Sequence, residues 1–176
     1  DIRVEDRTFV AKYSSAGAQL WAKPCYINTY INQDFDLSVD QNGNIVVAGG
    51  FGGELLLSSS VTLTSTGFHD GYVAKYDPDF NLKWAKSFGG IYSDYATGIT
   101  ADSWGNILVT GNYGNPLTIE SHTVLSPVGA ADVFVLSFDT NGQIQWLRSI
   151  NGTRHLMPRE IAVDMAGTIL VSGDFP

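Results

Sequence analysis

One cysteine, Cys25, stands in 176 residues, so the chain can form no intrachain disulfide and no cysteine-rich metal site. A lone thiol reads first as a small apolar core residue and only second as a nucleophile. Charge is also scarce: 16% of residues carry one, against ~25% in an average soluble domain. Ten Lys and Arg face 18 Asp and Glu, a net charge of −8. That balance excludes a nucleic-acid partner, because a phosphate backbone needs a basic patch, and it opposes adsorption to an anionic bilayer. No apolar run approaches the ~20 residues of a membrane-spanning helix, so no membrane insertion is expected. The opening DIRVEDRTFV is no signal peptide, and an export signal would have to lie upstream. The three histidines, His69, His122 and His155, have no ligand spacing. No phosphate loop, nucleotide fingerprint or Ser-His-Asp order occurs either, so no metal and no cofactor is expected.

What the chain does have is aromatic and small residues: 8 Tyr, 9 Phe, 4 Trp and 19 Gly, a mixture that favours strands joined by tight turns. No segment carries a sustained 3.6-residue period. Instead DQNGNIVVAGGF (40–51) returns as DSWGNILVTGNY (102–113) and DMAGTILVSGDF (164–175), 62 residues apart each time. Trp21, Trp84 and Trp146 share a column of this repeat, as do Val10, Val73 and Val135, and Tyr13, Tyr76 and Phe138. Gly67 matches Gly129, and Asp70 matches Asp132. So many coincident columns define a repeat protein, whose units must stack to bury their apolar faces.

Each repeat reads as four short strands, for example LSVD (37–40), NIVVAGGF (44–51), YVAKYD (72–77) and NLKWAKSF (81–88). Asp40-x-x-Gly43 and its copies join the first strand to the second. The Asp accepts backbone N–H groups and the Gly supplies the positive φ that closes the hairpin. Asp40-x-Asn42-x-Asn44 could suggest a calcium loop, but Trp104 and Ala166 replace Asn42 in the other copies, so turn capping is the better reading.

Units of this size, with a Trp in the last strand, point to an all-β fold of β-propeller blades. DGYVAKYDPDFNLKWAKSFGGI (70–91) followed by SDYATGITADSWGNILVTG (93–111) resembles the bacterial beta-propeller repeat, the SBBP repeat. The resemblance implies one four-stranded blade per repeat, in exported or cell-surface bacterial proteins, and no defined activity. The blade boundaries expected are a half blade at 7–25, blades at 34–88 and 96–150, and a half blade at 158–176. That makes three blade-equivalents, too few for a ring of ~4 to 8. The ring is then completed by the rest of a longer protein, the favoured reading, or by further copies of the chain, and an isolated monomer is not expected.

Successive connections of such a blade alternate between its two ends, so the tight turns gather at one end and the long connections at the other. The long ones are 52–69 and 114–131, with inter-blade loops 26–36, 89–98 and 151–160. Their apolar alternation (Leu55, Leu57, Val61, Leu63; Leu117, Ile119, Val124, Leu125) suggests either an extra packed strand or a binding surface. The loop tips Tyr26, Tyr30, Tyr92, Tyr95 and His155 are candidate ligand contacts, as is Trp104, which has no counterpart in its column. The three in-register Trp residues are expected to pack between blades. Asp36 and Glu160 share a column of the innermost strand, where Gly98 stands in the middle copy, and could face a central channel. The sequence therefore favours a non-catalytic module recognising a glycan or a protein. A glycan hydrolase or lyase using Asp36, Glu160 and Asp34, and a structural spacer, are the alternatives.

Overall fold

A computed structural model describes residues 8–25, 31–120 and 123–175. Among them the chain is all-β, with sixteen strands and no helix. Two complete four-stranded antiparallel arrays form the middle of the molecule. The first holds β3 (Ile31–Val39), β4 (Ile45–Phe51), β7 (Asp70–Tyr76) and β8 (Leu82–Gly89); the second holds β9 (Asp94–Ala101), β10 (Ile107–Tyr113), β13 (Asp132–Phe138) and β14 (Ile144–Ile150). Two-stranded sheets flank them: β1 (Phe9–Tyr13) with β2 (Gln19–Pro24), and β15 (Met157–Val163) with β16 (Ile169–Asp174). The order in space is the order in sequence.

The four sheets stack face to face, and alternation along the strands builds the cores between them. Ile45, Val47 and Phe51 of β4, with Tyr72, Ala74 and Tyr76 of β7, turn to one side and meet Val10 and Cys25. Val46, Ala48 and Val73 turn to the other and meet Ile107, Val109, Phe134 and Phe138 of the second array. Leu108, Val135 and Ile161 continue the stack to β15 and β16. This is why all seven residues of β4, β7 and β13 are buried: each of these strands is covered on both faces. Burial also pushes the Cys25 thiol up to about 12, so at neutral pH it is an inert core residue.

The tight turns behave as the sequence demands. Asp40, Asp102 and Asp164 each accept, on one carboxylate oxygen, the amides two and four residues on, at 2.8–2.9 Å. Gly43, Gly105 and Gly167 close them at φ of 76°, 83° and 86°, a region that side-chain-bearing residues rarely adopt. In the turn between β7 and β8 a non-glycine does this: Phe80 has φ 65°, held by stacking on Tyr76 at 4.2 Å and by contact with Trp21.

The repeated Trp residues join successive sheets. Trp84 of β8 donates Nε1–H to the Thr140 carbonyl at 3.2 Å in the next array, and its indole lies on Gly142, where a Cβ would come within 2.8 Å. One unit earlier Trp21 meets Phe80, which holds the Gly142 column, ring to ring at 5.5 Å between centroids.

Of the two readings of the long connections, the structure takes the extra packed strand, and as hairpins: β5 (Glu54–Ser58) pairs β6 (Val61–Thr64), and β11 (Leu117–Ile119) pairs β12 (Thr123–Leu125). β11 also pairs back onto β8, through Thr118↔Gly89 and Ile119↔Phe88. Their apolar alternation is spent on burial: Leu55, Leu57, Leu117 and Ile119 are all core residues. The inter-sheet loops are likewise shorter than 89–98 and 151–160, because β9 already begins at Asp94 and β15 at Met157.

Candidate functional site

At the end of the stack opposite the Asp-x-x-Gly turns, β9, β10 and β15 enclose a cleft of about 410 Å³ lined by Tyr95, Thr97, Asn112, His155, Met157, Pro158 and Arg159. Strand pairing places Tyr95 directly opposite Asn112. β15 comes close to β9 because Gly98 has no side chain; a Cβ there would lie 3.1 Å from the Ile161 nitrogen and 3.3 Å from the Glu160 Cα. The next sheet thus supplies His155 and Arg159 to a wall begun by Tyr95 and Thr97.

The cleft rests on a polar base. Tyr95 Oη lies 3.3 Å from His69 Nδ1, and the same nitrogen lies 3.2 Å from Ser93 Oγ. The Tyr95 ring covers Gly50, where any Cβ would meet it at 2.4 Å. Arg159 donates Nε–H to Asp174 at 2.7 Å; both side chains are largely exposed, so the pair holds the guanidinium in place with little effect on stability. Its remaining N–H donors suit a carboxylate or a peptide carbonyl.

Three buried aspartates shape the loops around this end. Asp70 accepts from the Thr66 amide and hydroxyl and the Gly67 amide. Asp132, its repeat counterpart, accepts from Val128, Gly129 and Gly152. Asp94 accepts from Gly90 at 2.7 Å and Gly114 at 3.3 Å. Gly67 and Gly129 let the following loop pass directly against them: a Cβ would strike the Gly90 carbonyl at 2.3 Å in one case and the Gly152 carbonyl at 2.4 Å in the other. The repeated Gly-x-x-Asp was visible in the sequence as two matching columns; its part in shaping the site needed the fold.

Burial pushes the Asp94 carboxyl up to about 6, the nearby Asp70 charge adding to the effect and the two amides opposing it. Asp94 therefore holds its proton more tightly folded than unfolded. Its contribution is full below the ordinary carboxylate range and is lost as pH rises through about 6. Asp77 and Asp164 run the other way: hydrogen bonds, led by Asn81 and the Thr168 amide respectively, hold them low, so what they contribute is lost only in acid. Stability should rise by about 1 kcal/mol between pH 7.5 and 5 and fall below pH 4. Urea unfolding at these pH values checks it, and a flat profile from 7.5 to 5, or one unchanged in Asp94→Asn, would refute the assignment.

The structure separates the residues that the sequence grouped. Tyr95 and His155 share the cleft, although Tyr95 is no loop tip: it belongs to β9 and is half-buried. Tyr92 is exposed in the loop just before β9. Trp104 lies at the opposite end, exposed, with its ring edge 3.0 Å from the Cβ position of Gly167. Asp36 accepts the Leu37 and Ile99 amides, one on each oxygen at 2.8 Å, and so ties β3 to β9. Glu160 is exposed on β15, the strand on the other side of β9. Tyr26 and Tyr30 lie outside the described residues, as does the side chain of Asp34. Thr97, Asn112 and Arg159 went unnoticed in the sequence, because nothing in a strand pattern marks which polar residue will face a neighbouring sheet.

A larger cleft of about 600 Å³ runs between β2, the β5–β6 turn and the outer edge of β8. Its two cations are already spent on the protein itself, Lys23 on the Asp79 carbonyl and Lys83 on Asn44 Oδ1. Among the described residues no cluster of three or more His, Cys, Asp or Glu could hold a metal ion.

No protein-family model matches the chain. It is similar to an uncharacterized WD repeat-containing protein, L264, of Acanthamoeba polyphaga mimivirus, at 25% identity over 209 aligned positions. The similarity covers 99% of this chain and 15% of the viral protein, so the chain spans only a small part of that relative's length.

Proposed function

We propose that the chain is a run of β-propeller blades serving as a non-catalytic interaction module, with a protein partner taken at the end that carries Tyr92, Tyr95, His155 and Arg159. The observation that carries this reading is the cleft in which Tyr95, Asn112, His155 and Arg159 converge from two successive sheets. Aromatic and Arg side chains at a partly desolvated seam are the residue types that dominate protein recognition. The propeller reading draws support from four-stranded meanders stacked face to face, from the contact of β9 with both β3 and β15, and from the likeness to a WD repeat-containing protein. The resemblance to the bacterial repeat is the basis for placing such a module on an exported or surface protein. A catalytic role finds less support, since both oxygens of Asp36 are committed to backbone amides.

The test is a peptide array and a glycan array probed with the wild-type chain, followed by titration of the hits. Arg159→Glu and His155→Ala should each weaken a peptide hit by roughly tenfold or more, while Glu160→Gln leaves it unchanged. Binding confined to glycans, or glycan turnover abolished by Glu160→Gln, would displace this reading.

A further inference from the structure

Two successive seams of the stack are built alike, and only one of them is filled. Between the two complete arrays the Tyr95 ring lies over Gly50, and its hydroxyl sits 3.3 Å from His69 Nδ1, itself 3.2 Å from Ser93 Oγ. One repeat on, Asn112 stands in the Gly50 column, Met157 in that of Tyr95, Ala131 in that of His69 and His155 in that of Ser93. The backbone keeps its course: an isolated parallel bridge joins His69 to Ser93 in the first seam and Ala131 to His155 in the second. Every group that fills the first seam thus has its counterpart in the second, and four side-chain exchanges make the difference. A Cβ at Gly50 would meet the Tyr95 ring at 2.4 Å, so Asn112 denies the Met157 column that way of closing. Met157 is 43% exposed, and a cleft of about 410 Å³ stays open beside it.

The chemistry of the open seam changes with its shape. Among the described residues no Asp or Glu lines the cleft, although acids outnumber bases 18 to 10 in the chain. Neither Asn112 nor His155 makes a side-chain hydrogen bond among those residues. Arg159 stands on a β-bulge, where the pairing of β15 with β16 skips from Pro158↔Gly173 to Glu160↔Ser172. A bulge of this kind re-aims a side chain. In β9 the same step, between Ala96↔Gly111 and Gly98↔Thr110, carries Thr97, so the second seam gains a cation where the array before it has a hydroxyl. Arg159 spends Nε–H on Asp174, which fixes the fork, and its terminal N–H groups have no partner among the described residues.

We propose that the open seam takes the carboxylate of an Asp or Glu side chain of the protein partner, an inference that rests on the cleft being the partner's site. Arg159 meets the carboxylate with its free donors, because a guanidinium fork matches a planar carboxylate. His155 carries an N–H in either tautomer and Asn112 two more, so each can donate to the same group. Met157 and Pro158 give an apolar wall for the methylenes of the acid.

A peptide array printed in sets of three tests this, each peptide carrying Glu, Gln or Lys at one position, with the hits titrated against the wild-type chain and Arg159→Glu. The wild-type chain should bind the Glu member roughly fivefold to tenfold tighter than the Gln member, and Arg159→Glu should prefer the Lys member. Asn112→Gly combined with Met157→Tyr restores residues of the filled seam and should abolish binding of all three, with near-native circular dichroism showing that the variant folds. Peptides that this closure displaces but that bind without regard to charge would overturn the carboxylate and leave the cleft as a protein site. So would a preference for Glu that survives Arg159→Glu. Peptides indifferent to both variants, or no peptide bound at all, would overturn the cleft reading and this proposal with it.

Discussion

Lys75→Met should lower the unfolding free energy by about 3–5 kcal/mol, the cost of leaving a buried charge without its partner. For a chain of this size that is a fall in Tm of roughly 10 °C. Lys75 lies in the centre of β7, 2% exposed, with its ammonium 2.9 Å from the equally buried Asp40. Burial pushes the Asp40 carboxyl up, but Lys75, the Asn44 side chain and the amides of Asn44 and Asn42 outweigh it and hold the carboxyl below the ordinary carboxylate range. Removing Lys75 takes away the strongest of those counterweights and leaves the desolvation. Pairing the change with Asp40→Asn should recover more than half of the loss, because the amide oxygen still accepts the turn N–H groups and no charge stays buried. A thermal and urea double-mutant cycle measures this. A single variant within about 1 kcal/mol of wild type would show that water reaches Asp40. In the second array Ser137 stands in the Lys75 column and Asp102 is partly exposed, so there the turn works without a cation.

Phe134→Ala is expected to cost about 3–5 kcal/mol, the range for truncating a fully buried aromatic. Its ring fills the seam between the two complete arrays, edge-on to Phe88 at a centroid distance of 5.1 Å and an interplanar angle of 75°. It also occupies the space left by Gly111, whose Cβ position lies 2.6 Å from the ring. The vacated volume is therefore bounded by backbone and cannot collapse readily. Gly111→Ala should destabilise as well, by about 1–3 kcal/mol or more, and Phe134→Ala should not rescue it. The added methyl would still lie 1.9 Å from the Tyr95 carbonyl on β9, at the irregular step between Thr110 and Gly111. Rescue to within about 0.5 kcal/mol of Phe134→Ala alone would show that the ring, and not the strand opposite, sets the requirement for glycine.

Much of this was determined by sequence alone, and for a local reason. A strand announces itself through apolar, β-branched and aromatic runs, and a tight turn through Asp and Gly at fixed offsets, because φ, ψ and the nearest hydrogen bonds depend on residues a few positions apart. The Asp40, Asp102 and Asp164 turns, the all-β class and the near-constant spacing of the repeats were all legible in this way. The alternation of Leu55 with Leu57 and of Leu117 with Ile119 was visible too, but not whether those residues bury or bind. Tertiary structure decided that, by laying β11 along β8 and by closing both hairpins onto existing cores. It also decided that Asp36 ties β3 to β9, that Tyr95 meets His155 across a seam while Trp104 lies at the far end, and that Thr97, Asn112 and Arg159 share one cleft. Asp36 and Ile99, Tyr95 and His155, and Thr97 and Arg159 each stand roughly 60 positions apart, on neighbouring sheets. Their partners follow from how whole sheets stack, an outcome of summed burial that no single stretch of the chain encodes.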